Sequence, residues 1–238
     1  ALVQVCVSKN GTLSIKPVSE NKLRGLLARA AHWQRVHKNE NIVDALPPND
    51  IVKDIMALGR WEFSDLNGIV DIPVLREDGT VLQTPGYDEA SAYIYRPRAG
   101  SKQIEIPDEP TQEDAVSALR YLERHVLEGF PFVDKASLAN ALGLLITPVI
   151  MPAIKGSRKL ALIDAPQSGT GKTLFAEGVG IVAGMSFTSL VSPPKDDDEF
   201  RKKITSYLMK GARIIIIDNL ESTLSGSSLA AFLTASKW

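Results

Sequence analysis

The sequence is poor in thiols and imidazoles: one cysteine, Cys6, and three histidines in 238 residues. A single thiol excludes an intramolecular disulfide framework, and so few scattered ligands exclude a zinc finger or ribbon. Such sparing use of cysteine points to a reducing, cytoplasmic compartment. An excess of charge of one sign is lacking too. Lys and Arg total 27 and Asp and Glu total 28, a formal net charge of −1. That balance excludes a histone-like basic binder and a disordered polyelectrolyte, and it predicts weak non-specific DNA binding by a single chain. No secretory signal opens the sequence, because the apolar start Ala1–Val7 has no basic segment before it and no cleavage site after it. The longest apolar run, Leu138–Ile154, contains Asn140 and is broken by Pro148 and Pro152. A membrane span needs about 20 clean residues, so this run reads as a buried helix and no membrane partner is expected. There is no internal repeat and no low-complexity tract. An initiator methionine is also lacking, and Trp238 falls within an amphipathic helical pattern. The expectation is a piece of a longer protein.

Charge does not divide the chain, but pattern does. Val3, Val5 and Val7 alternate, Asn10-Gly11 offers a turn, and Leu13 and Ile15 alternate again, which predicts a hairpin over 1–18. Ser19 or Asn21 can cap a helix carrying Leu23, Leu26 and Leu27, and Asn49 or Asp50 can cap a second, shorter one. From Ile69 to Arg96 the period falls to two around Asp78-Gly79 and Pro85-Gly86, predicting a small β-meander. A Pro- and Gly-containing linker follows over 97–112. Thr111 with Asp114 forms a capping box for a helix whose buried face would be Val116, Leu119, Leu122 and Val126. Another helix begins near Lys135 or Ala136 and runs to the Pro148 region. Strand and helix then alternate: strand 160–163, helix 171–182, strand 187–191, helix 196–209, strand 213–217 and helix 225–235. The expected fold is α/β, a P-loop NTPase parallel sheet with helices on both faces, C-terminally incomplete. The expected division is a small α+β accessory domain over 1–110, a helical segment over 111–153 and an ATPase core over 154–238.

The informative stretch is Pro166-Gln167-Ser168-Gly169-Thr170-Gly171-Lys172-Thr173-Leu174, placed between an expected strand and an expected helix. That is the context of a phosphate-binding loop. Gly169 and Gly171 leave the backbone free to aim its N–H groups inward, toward phosphate oxygens at a helix N-terminus. Lys172 would reach the β- and γ-phosphates of ATP, and Thr173 would bind Mg²⁺. The usual first glycine of the motif is Pro166 here. The second half of the site is Ile214-Ile215-Ile216-Ile217-Asp218, a buried strand ending in a carboxylate 46 residues after Lys172. Asp218 would hold the Mg²⁺ shell. The residue after it is Asn219, which can orient water but cannot take its proton. Glu221 is a candidate base, or a solvated loop acid.

These motifs, Ile163-Asp164-Ala165-Pro166 into Ser168–Thr173 and then Ile217-Asp218-Asn219-Leu220, resemble the ATPase region of phage- and plasmid-type primase–helicase proteins, within the AAA+ and helicase class. The segments Asp78–Asp88 and Leu229–Trp238 extend the likeness. The resemblance implies an ATP-driven, ring-forming DNA helicase of a mobile element, acting on single-stranded DNA as a homo-oligomer. It also implies a sensor strand and an arginine finger after Asp218, for which 20 residues remain. A regulatory or loading ATPase, which uses ATP as a switch without unwinding, is the alternative that Asn219 favours.

The other conspicuous residues have plainer readings. Arg201, Lys202, Lys203, Lys210 and Arg213 read as a solvated face balanced by Asp196–Glu199, ahead of an interface or DNA-facing role. Tyr87, Tyr93 and Tyr95 read as core ahead of base-stacking platforms, Trp33 and Trp61 read as packing residues, and His32 with His37 does not read as a metal pair.

Overall fold

The computed structural model describes residues 1–238 except 10, 12, 38–39, 99, 102–105, 108, 155, 157–159, 168, 185–188, 210, 222 and 236–237. Among the described residues the fold is α/β, with seven helices and small sheets, none closed into a barrel. The chain divides into two compact units, Ala1–Asp65 and Leu66–Trp238.

In the first unit, alternation builds the hairpin of β1 (Val3–Val7) and β2 (Leu13–Pro17), with Val5 opposite Ile15. Asn10 of its expected turn lies outside the described residues. Helix α1 (Glu20–Ala30) is capped by the Ser19 hydroxyl, which accepts from the Lys22 N–H. β3 (Gln34–Val36) pairs antiparallel with β4 (Ile42–Asp44). Helix α2 (Asn49–Ala57) starts after Pro48, so Asn49 is its first helical residue and not its cap. Pro48 is pre-set for an extended approach and needs no N–H there. Val18, Leu23 and Val52 form the core. Trp33 and Trp61 donate their indole N–H groups to Leu27 O and Ile55 O, near the ends of α1 and α2. Leu27 O also accepts from the Ala31 N–H, so Trp33 adds a second bond there, while Trp61 serves a carbonyl in the last turn of α2.

The second unit opens with β5 (Gly68–Val70), β6 (Val74–Leu75), β7 (Val81–Leu82), β8 (Gly86–Asp88) and β9 (Tyr93–Tyr95). A simple meander would be antiparallel throughout. Here β9 lies between β8, antiparallel, and β5, parallel, while β6 and β7 form a separate hairpin. Tyr95 is buried with Val70, Val74 and Leu82, and Tyr93 packs against them. Arg76 binds the Asp88 carboxylate through Nε and Nη2 at 3.1 and 2.9 Å, bracing β6 against β8. This β segment was expected to close an N-terminal domain. It packs instead with α4 (Lys135–Ile150) and the 3₁₀ turn Met151–Ala153 of its own unit.

Helix α3 (Gln112–His125) begins at the expected capping box, with Thr111 and Asp114 bonded reciprocally. Its expected buried face is not buried: Val116 and Leu119 are 38% and 40% exposed, and no α3 residue is fully buried. The cap and the apolar period are sufficient to form the helix locally. They do not supply a layer to cover it. α4 is capped by Asp134 and places Ala141 and Leu145 in the core with Leu127, Phe175 and Val179. By length and composition, Lys135–Ala153 is apolar enough to cross a membrane, and 17% of its most apolar window is buried. It is half-buried more than buried, with its inward face on that core.

Helix α5 (Lys172–Val182), β10 (Ser189–Val191), α6 (Asp197–Met209), β11 (Ile215–Ile217) and α7 (Ser227–Thr234) follow in the expected order. Residues 187–188 of the expected strand lie outside the described residues. β10 and β11 are parallel, with Leu190 opposite Ile216, and the Asp218 N–H extends the ladder to Val191 O. Leu160–Ile163, expected as a strand, is irregular, and Leu160 and Leu162 are 60% and 83% exposed. A strand exists only where a neighbour takes its backbone hydrogen bonds, and among the described residues none pairs with this segment. The sheet at this end is therefore a two-stranded parallel pair.

Candidate nucleotide site

The loop 166–171 leads into α5 through Gly171, which has φ +90° and serves as the N-cap. Gly169 has φ +77°. Both conformations lie in the left-handed region, where a Cβ is disfavoured. A Cβ on Gly169 would meet nothing within 4 Å, so that side of the loop is open. Ser168 lies outside the described residues. Pro166, Gln167 and Gly169 are exposed, Thr170 is half-buried with its hydroxyl donating to Gln167 O, and Leu174 is 65% exposed.

Lys172 turns back over the loop. Its Nζ donates to Ala165 O at 3.5 Å and Gln167 O at 3.3 Å. These are long contacts to neutral carbonyls, weaker than the charge-assisted bonds an ammonium makes to anionic oxygens.

Thr173, one residue into α5, meets Asp218 at the C-terminal end of β11. The hydroxyl lies 3.3 Å from Asp218 Oδ1 and 3.2 Å from Oδ2. Two residues 45 apart in sequence thus converge at one point, on the strand edge where open α/β sheets hold ligands. One hydroxyl and one carboxylate would leave most of an octahedral Mg²⁺ shell to phosphate oxygens and water, as this ion prefers. Among the described residues no group of three or more His, Cys, Asp or Glu side chains could hold a metal alone.

Asn219 has φ +55°, and its N–H donates to Asp218 Oδ1 at 2.9 Å. Asn tolerates this left-handed backbone better than Glu does. The residue that departs from the expected chemistry thus meets a backbone demand. Glu221 is exposed, and the structure shows no bond between it and the Thr173–Asp218 pair.

The basic cluster is mostly neutralised. Arg201 and Lys202 pair with Asp198, and Lys203 pairs with Glu199. Lys210 lies outside the described residues. Arg213 is not a surface cation: its Nη1 and Nη2 donate to Ala183 O at 3.1 Å and Pro148 O at 2.7 Å, and burial pulls its pKa below the usual arginine value. Tyr87 is 44% exposed, unlike its two neighbours in the core. His32 pairs with Asp44 at 3.0 Å.

Phe130 was not singled out from the sequence. Its ring edge stands over Gly171, and its position between two helices carried no spacing that tied it to the loop. No protein-family model matches the chain, and no curated protein or solved structure matches it either.

Proposed function

We propose that the chain binds ATP with Mg²⁺ through a P-loop formed by residues 166–174, and that it belongs to the ATPase part of a DNA helicase. The observation that supports the nucleotide reading is the approach of the Thr173 hydroxyl to both Asp218 oxygens, beside a glycine-capped helix N-terminus. In this reading Lys172 leaves its loop carbonyls for the β- and γ-phosphates, and the first N–H groups of α5 face the phosphate oxygens. Thr173 and Asp218 hold Mg²⁺, which would neutralise charge on the phosphates. In this reading the parallel pair β10–β11 would be two strands of a P-loop sheet, with 160–163 entering the loop. The helicase assignment, the single-stranded DNA partner and the homo-oligomeric ring rest on the resemblance of 163–173 and 217–220 to primase–helicase proteins.

Asn219 favours a second reading, a loading or regulatory ATPase. With an amide after Asp218 and Glu221 at the surface, the chain's own groups bind and orient nucleotide more readily than they remove a proton from water. ATP-dependent strand separation by the longest soluble form of the protein distinguishes the two.

Calorimetry with Mg²⁺-ATP tests the shared premise. Lys172→Ala should weaken binding by roughly 10- to 150-fold, the equivalent of about 1.5–3 kcal/mol for one charge-assisted contact. Thr173→Val should leave metal-free ATP binding intact and remove its enhancement by Mg²⁺. Equal Mg²⁺-ATP affinities for the parent and the Lys172 variant would refute the P-loop.

A further inference from the structure

We infer that Phe130 is a positioning residue for the phosphate loop, holding Gly171 and the first turn of α5 in the shape that receives phosphate; this rests on the P-loop reading above. An ideal Cβ built on Gly171 would lie 3.1 Å from Phe130 Cε1 and 3.6 Å from Cδ1. The ring edge therefore crowds the Cβ position at 171, directly beside the backbone that turns left-handed at φ +90°. The same ring meets Phe175 edge to face, with centroids 5.6 Å apart. Phe175 is 7% exposed, and its N–H donates to Gly171 O at 2.8 Å, closing the first turn of the helix. Phe130 thus touches that turn at both ends, at the capping glycine and at the residue whose amide bonds back to it.

Phe130 is itself held. Its N–H donates to Leu127 O at 3.2 Å, and the Phe132 N–H donates to Phe130 O at 3.0 Å. Leu127 is 3% exposed and bonds through its N–H to Leu122 O of α3. The connector between α3 and α4 is therefore a brace from the helical segment to the loop. Phe132 supplies an internal comparison. It also meets Phe175, at 6.4 Å, but it does not come within 4 Å of the Gly171 Cβ position.

The experiment compares the parent, Phe130→Ala, Phe130→Leu and Phe132→Ala in calorimetric titrations with Mg²⁺-ATP and with Mg²⁺-tripolyphosphate, alongside thermal unfolding. The expected result for Phe130→Ala is a loss of about tenfold for both ligands, because the phosphate cradle is what shifts. Phe130→Leu, which keeps bulk over Gly171, should restore most of the affinity. Phe132→Ala should lose stability comparably and keep its affinity. A loss for ATP with none for tripolyphosphate would assign the ring to the base and overturn the inference. So would unchanged affinity in a folded Phe130→Ala, or equal losses in the Phe130 and Phe132 variants. If Phe130→Ala does not fold, Phe130→Leu set against Phe130→Val carries the comparison, and equal affinities there overturn the inference. Failure of the parent to bind either ligand would overturn the P-loop reading itself, which separates the two failures.

Discussion

Arg213 offers the most direct test of how the second unit is held together. Its guanidinium lies between the ends of two helices and donates to Pro148 O of α4 and Ala183 O, just past α5. Pro148 O cannot be satisfied along its own helix, because the residue four positions on is Pro152, which has no N–H. Ala183, 0% exposed, follows the last turn of α5, where carbonyls also lack helical donors. Arg213→Met keeps most of the stem volume and removes both donors. Leaving two buried carbonyls unpaired costs about 1–3 kcal/mol each. Losing a cation from two helix C-termini adds to this, while removing a desolvated charge gives some of it back. The net expectation is a loss of about 2–4 kcal/mol. Arg213→Lys should lose about half as much, because one ammonium reaches one carbonyl more easily than two. Urea unfolding, followed by a probe in Leu66–Trp238, measures this from the shift in midpoint at constant slope. A Met variant within about 0.5 kcal/mol of the parent would show that desolvation cancels the hydrogen bonds, and would refute the capping argument.

Two further predictions concern the β segment. The Arg76 guanidinium, followed by bonds from Ser91, holds the Asp88 carboxyl at a pKa of about 2, below its ordinary 3.8. A depressed folded pKa contributes stability that is fully present above about pH 4 and is lost as pH falls toward 2. The expected loss is about 2 kcal/mol, it should vanish in Asp88→Asn, and stability curves at pH 5, 3 and 2 would expose the error if the parent and variant fall in parallel. Gly184 has φ +78°, and a Cβ there would run into Asp71 Oδ1 and stand 2.8 Å from Ile72 Cγ2. Gly184→Ala should therefore destabilise the unit by about 2 kcal/mol or more through strain and displacement together, and an unchanged melting temperature would contradict that close approach.

The local parts of this protein were legible in its residues. Ser19, and Thr111 with Asp114, cap helices within three residues of themselves, so their signal and their effect lie in the same stretch of chain. The β1–β2 hairpin is equally local, with its alternation and turn contiguous. Gly171 before Lys172 marked the start of α5 for the same reason. Tertiary structure decided what depends on partners far along the chain. Whether Leu160–Ile163 is a strand depends on a neighbour to bond with, not on its own apolar pattern. That β5 and β9 run parallel, and that α3 keeps its apolar stripe half exposed, follow from packing that no period encodes. Arg213 looked like one more surface cation until two proline- and helix-end carbonyls met it. Thr173 and Asp218 were each marked by motif, but their meeting is a property of folded space, where a helix start and a strand end 45 residues apart share one point.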